Sequence, residues 1–223
     1  MQKRVTENED DDEDEVEFEA PSANGETTTV TRDRDQLSKL LHQASARGVY
    51  EQLLVAGVAI TEDYLQDVLK VILRWFPKKL NLSVDGKQID KTVGLELVVS
   101  SATVEEILDA VIQKQLFAVF YGPPERYFAY VQTILSIEIE KELKDSFAEM
   151  KASRDIIVHN SGIANDLYIA KSGKKARARP GDRLQINRAY FEGATHTMKR
   201  LIHSVYAKSL DQFGEHRPGA KKK

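Results

Sequence analysis

The segment Arg154-Asp155-Ile156-Ile157-Val158-His159-Asn160, continued by Ser161-Gly162, sets an arginine, a carboxylate, a histidine and an amide around three apolar residues. A guanidinium holds a phosphate and offsets the charge that builds on it during displacement, and an imidazole moves a proton near neutral pH. Together they are a minimal kit for cutting RNA without a metal. This chemistry calls for no cofactor and no metal site.

On an ideal helix, five residues at about 100° each put Arg154 and His159 roughly 140° apart, so one uninterrupted helix does not bring them to a point. Either the helix distorts or a second chain completes the site. Asp155 and His159 stand at i and i+4 on one face, where the carboxylate can accept the ring proton and orient the ring. Ile156, Ile157 and Val158 are expected to anchor the segment in the core. The plain alternative is an Arg154 paired with a nearby glutamate and a His159 that caps the helix C-terminus, where a cation is favoured.

The elements that must position these groups read as helices. Leu37, Leu40 and Leu41 open an apolar face. After Gly48, the spacing of Leu53, Leu54, Val58, Leu65, Val68, Leu69, Ile72 and Leu73 carries a face on to the break at Pro77. Residues 78–102 read as a loop: 80–84 alternates as a strand would and Asp85-Gly86 signals a turn, but 87–91 is too polar for a partner strand. Thr103-Val104-Glu105-Glu106 has capping-box spacing and opens a helix to about Tyr121. Gly122-Pro123 breaks it, and Pro124 begins another. That pattern runs through Tyr127, Tyr130, Ile134, Leu143, Phe147 and Met150 into the motif, with a bend near 135–137, and stops at Gly162. A last helix covers about 188–210. The fold class expected is an all-α, antiparallel helical bundle.

A chain of 223 residues that is 41% hydrophobic supports one domain plus tails. Residues 1–20 hold ten acidic side chains against Lys3 and Arg4, so the total charge of −3 leaves a mildly basic body of +5. A block of like charge cannot repay the entropy of folding. Residues 1–33 are therefore expected to be disordered, 34–210 to form the helical domain, and 211–223 to fray as a basic tail. The acidic tail is expected to solubilise the chain, the sharper alternative being that it competes with RNA for a basic site or docks on a partner. With no cysteine there is neither a disulfide nor a thiolate metal site. No run approaches about 18 apolar residues and the N-terminus is acidic, so a soluble, cytoplasmic protein without membrane span or secretion signal is expected.

Residues 171–188 read as a basic loop, in which Lys174, Lys175, Arg177 and Arg179 are candidate contacts to RNA phosphates. The loop holds no aromatic residue on which a base could stack. His196 and His203 share one helical face, but zinc would need a further ligand from elsewhere, and a packed or surface pair is the expectation.

The string Arg-Asp-Ile-Ile-Val-His-Asn-Ser-Gly-Ile-Ala-Asn at 154–165 resembles the signature of the HEPN superfamily: an arginine, a polar residue, a short spacer and a histidine, often continued as Asn-x-Gly. Tyr50-Glu51 on the preceding helix and the helical run to Leu210 also fit that family, so the resemblance covers 35–210. It implies an antiparallel helical bundle and a metal-independent endoribonuclease that works as a homodimer through the motif helix, two motif copies facing each other across a shared cleft. By the same resemblance, His159 would be general acid or base in attack of a ribose 2′-OH on the adjacent phosphate, and Arg154 would stabilise the phosphorane. Asp155 would orient one of them, and Asn160 would position the phosphate or hold the helix end. The products would be a 2′,3′-cyclic phosphate and a 5′-OH. Members of the superfamily often serve as toxins or in defence against phages, and some need a regulatory protein partner. Segments 78–102 and 171–188 elaborate on a compact bundle, so the choice of RNA does not carry over. Some proteins of this resemblance only bind nucleotides or dimerise; there Arg154 would hold a phosphate and His159 would cap the helix. A helical adaptor, contacting protein through 171–188 and the acidic tail, is a third reading.

Overall fold

The computed structural model describes residues 15–21, 27–82, 92, 94–101 and 103–216. The chain divides into two units, residues 1–49 and 50–223. In the first, β1 (Glu15–Pro21) pairs antiparallel with β2 (Thr27–Asp33), Glu15 opposite Asp33 and Pro21 opposite Thr27. This hairpin lies where charge alone argued for disorder. Acidic and apolar residues alternate through 15–20, and Thr27-Thr28-Thr29-Val30 is wholly β-branched, both of which suit a strand. Helix α1 (Arg34–Trp75) follows, with Asp33 Oδ1 accepting the Gln36 N–H at 2.8 Å.

In the second unit, Leu54, Val58, Leu65, Leu69 and Leu73 form the buried stripe of α1. The helix stops ahead of Pro77, which opens a short 3-10 turn, Pro77–Asn81. Residues 78–102, expected as loop, hold this turn and a short helix, α2 (Leu95–Ser100); the anticipated Asp85-Gly86 turn lies outside the described residues. Helix α3 (Val104–Phe120) starts where the capping spacing places it, Thr103 Oγ1 accepting the Glu106 N–H at 3.2 Å. Helix α4 (Pro124–Leu135) begins at its proline.

Between α4 and α5 (Lys141–His159) the chain breaks outright where a bend was expected. Ser136 takes a left-handed conformation, φ 55°, and Lys79 Nζ donates to the Ile134 carbonyl at 2.7 Å and to Ser136 Oγ at 3.2 Å. Helix α5 then packs on α4, on α6 (Asp166–Ser172) and on α7 (Arg188–Phe213). Asn165 and Asn187 cap α6 and α7 through the N–H groups of Tyr168 and Tyr190, both at 2.9 Å. Tyr127, Phe128, Tyr130, Val131 and Ile134 of α4 and Leu143, Phe147 and Met150 of α5 fill the centre. The tail expected to fray from 211 stays helical to Phe213, which is buried with its ring 5.6 Å from that of Phe76. Apart from the hairpin, the described chain is an all-α helical bundle, and none of its helices is long and apolar enough to cross a membrane.

Candidate functional site

The motif occupies the last turns of α5, the helix that touches most of its neighbours. Of the three apolar residues expected to anchor it, Ile156 is buried and Ile157 half-buried, but Val158 is 47% exposed. Arg154 and His159 sit on one continuous helix, so the angle between them, about 140°, persists and a single chain does not bring them together.

Arg154 keeps 31% side-chain exposure; its Nη1 donates to Asp155 Oδ1 at 3.2 Å, and its buried Nε has no partner among the described residues. Asp155 Oδ2 accepts from Lys171 Nζ of α6 at 2.9 Å. The carboxylate read from its i, i+4 spacing as a partner for the imidazole is thus taken by two cations. Charge-assisted bonds to a guanidinium and an ammonium outcompete one to a solvated ring. His159 is exposed and its imidazole has no hydrogen-bond partner among the described residues.

Asn160 closes the helix. Its N–H donates to the Ile156 carbonyl at 2.9 Å and its Nδ2 to the Ile163 carbonyl at 2.6 Å. Ser161 (φ 51°) and Gly162 (φ 74°) then turn the chain in left-handed conformations, and the Gly162 N–H returns to Ile156 O at 2.8 Å. These bonds place Asn160 at the helix end.

The segment read as a basic loop is a folded strap laid along the motif's exit. Leu184 N–H donates to Gly162 O at 2.8 Å, Ala164 N–H to Asp182 O at 2.9 Å, and Gly181 N–H to Ala164 O at 2.9 Å. Leu184 and Ile186 are buried. Arg183 Nη1 donates to Ser161 O at 3.0 Å, and its Nη2 lies 3.5 Å from Glu51 Oε1 of α1.

At the root of this strap stands Glu149, a carboxylate with 5% side-chain exposure. Its Oε1 accepts from Ser153 Oγ at 2.6 Å, Tyr168 OH at 3.1 Å and Arg177 Nε at 2.9 Å, and its Oε2 from Tyr190 OH at 2.7 Å. Four donors, one of them a cation, make a buried charge tolerable. Burial, and then the Glu149 charge, push the Tyr190 hydroxyl far above its ordinary range; burial likewise raises Tyr168. Arg177 also donates to Gln185 O at 3.0 Å and Ser153 Oγ at 3.2 Å and lies 3.5 Å over the Tyr190 ring.

Arg177, a candidate RNA contact by composition, thus has three of its five donors and one face of its guanidinium engaged inside the protein. Lys175 is paired with Glu142. Lys174 and Arg179 are exposed, with no side-chain partner among the described residues, so of the four they are the two whose charge is not already paired.

Beneath the motif, Lys151 pairs with Glu62 and lies 5.6 Å over the Tyr127 ring. The buried Tyr127 hydroxyl has no partner among the described residues, and burial, with Glu62 and Asp155 nearby, strongly opposes its ionisation. Sequence reasoning misses Lys171, Arg183 and the Glu149 node as site residues. For the node a signal exists: Glu149 and Ser153 stand at i and i+4 one turn ahead of the motif. Lys171 and Arg183 carry no local signal beyond basic content.

Comparison with protein-family models, with curated proteins and with solved structures finds no match to this chain.

Proposed function

We propose that this chain is a metal-independent endoribonuclease of HEPN type, cutting RNA by 2′-OH attack to leave 2′,3′-cyclic phosphate and 5′-OH ends. The observation that carries the reading is the contrast within one helix end: Arg154 is half-buried and held by Asp155, while His159 is exposed and unpaired among the described residues. An oriented guanidinium suits a stabiliser of phosphorane charge, and a solvent-facing imidazole suits a proton shuttle.

The angle between them favours a second copy as the source of the missing partner group. Val158, 47% exposed, and Leu167, 60% exposed, add apolar surface beside the motif, as an isologous contact requires. In such a dimer one protomer's Arg154 and its partner's His159 act on one phosphate. A role in defence or as a toxin, under control of a regulatory protein, fits this activity.

The test is cleavage of total cellular RNA by purified protein in excess EDTA, with His159→Ala as the comparison at matched dimer content. Fragments bearing cyclic phosphate and lost in the variant are expected. A second reading, a nucleotide-binding module, draws on Asp155 already neutralising Arg154. No cleavage by folded dimer, together with nucleotide binding lost in Arg154→Ala, would replace the first reading by this one.

A further inference from the structure

Helix α7 buries Ala194, Met198, Leu201 and Val205, and on its opposite face places His196, Lys199, Arg200 and His203 at i, i+3, i+4 and i+7. These four, with Glu140 and Leu143 at the start of α5, line an open recess of about 380 Å³. A solvated helix face ordinarily intersperses both signs of charge. Here α7 carries no acid from Gly193 to Leu210. The one acid in the lining, Glu140, accepts from Arg200 Nη2 at 3.1 Å. Lys199 and the two imidazoles have no side-chain partner among the described residues.

We infer that this recess binds a phosphate group. A guanidinium fork, an ammonium and two imidazoles offer converging donors and positive charge to several oxygens on one centre, which is the recognition chemistry of phosphate. Lys199 and Arg200 disfavour a metal cation here, and among the described residues no three histidines or acids stand close enough to hold one. The recess lies at the N-terminal end of α5 and His159 at its C-terminal end. Nineteen residues at about 1.5 Å each separate them by about 28 Å, so the phosphate held here is not one acted on by that protomer's motif. The inference stands whether or not the chain cuts RNA. The phosphate belongs either to an RNA backbone or to a small free phosphate compound.

The test uses the full chain carrying His159→Ala, which removes cleavage if there is any, and two probes. A labelled oligouridylate is followed by anisotropy across a salt series, and inorganic phosphate by the broadening of its phosphorus resonance. Adding Lys199→Ala and Arg200→Ala is expected to weaken oligouridylate binding at least tenfold at low salt. With two fewer cations on the RNA backbone, the slope of log affinity against log salt should become shallower by about 1.4. Loss of phosphate broadening with unchanged oligonucleotide binding assigns the site to a small phosphate compound. Unchanged behaviour of both probes, or no binding of either before the substitutions, overturns the inference. Both substituted residues are exposed, so an unchanged urea midpoint verifies that folding is not the cause.

Discussion

Asp155 is clamped between two cations, Arg154 Nη1 on one carboxylate oxygen at 3.2 Å and Lys171 Nζ on the other at 2.9 Å. The clamp ties α6 to the motif and holds Arg154 in one orientation. If Arg154 stabilises charge on a reacting phosphate, Asp155 works through it as a positioning residue.

Asp155→Ala is accordingly expected to lower RNA cleavage at least tenfold while costing only about 1 kcal/mol of stability, because these ion pairs remain partly exposed. Lys171→Ala should act through the same carboxylate, so the double variant falls short of the product of the singles. Additive losses in rate, or rates that merely follow the folded fraction, would assign the clamp to structure alone.

Gly162 separates strain from packing at the motif's exit. At φ 74° a side chain is disfavoured, yet a Cβ there would meet only the Arg183 guanidinium, at 3.8 Å. Gly162→Ala should therefore cost about 1–2 kcal/mol through the backbone alone. Ser161, at φ 51°, already bears such strain, and Ser161→Gly should lose little or gain slightly. Urea midpoints of the two variants moving in the same direction by similar amounts would refute a left-handed turn here.

Helix positions were legible in the sequence wherever one local signal decided them. The Thr103 cap, Pro124 as a helix start and the apolar stripe of α1 each depend on residues within a turn or two. The motif was legible as a string for the same reason. Its wiring was not, because Asp155 chooses between His159, four residues on, and Lys171, sixteen residues on, and only tertiary packing presents the second. Arg177 illustrates the same limit: composition marks it as one more cation of a basic stretch, whereas its partners Glu149 and Ser153 come from α5. The hairpin at 15–33 was hidden by counting charge without regard to alternation.

Alkaline pH should destabilise the fold. Burial raises the hydroxyls of Tyr127, Tyr130 and Tyr190 above the ordinary tyrosine value, so each stays protonated in the fold while the unfolded chain ionises near pH 10. Below that pH their contribution is fully present. Above it the unfolded state holds fewer protons, and stability falls by up to about 1.4 kcal/mol per group per pH unit. Lys79, lowered by burial, works the other way just below its ordinary value, but it is one group against three. A urea midpoint that does not drop between roughly pH 8 and pH 11 would contradict the burial of these hydroxyls.

Three cations of the strap, alike by composition, should separate into two behaviours. Arg177→Ala leaves the buried Glu149 without its cation, and loss of one partner from such a pair costs about 3 kcal/mol. Arg177→Lys should recover little, since an ammonium cannot reproduce a fork that reaches Glu149, Ser153 and Gln185 while lying on Tyr190. Lys174→Ala and Arg179→Ala should leave the urea midpoint within about 0.5 kcal/mol of the parent, because neither side chain has a partner among the described residues. If the strap touches RNA, these two substitutions instead flatten the salt dependence of binding, by about 0.7 in the log–log slope for each phosphate of a single strand that is no longer neutralised. Thermal or urea unfolding beside a salt-series binding curve resolves all four variants. Equal destabilisation by Arg177→Ala and Lys174→Ala would mean that the Glu149 node does not hold the strap.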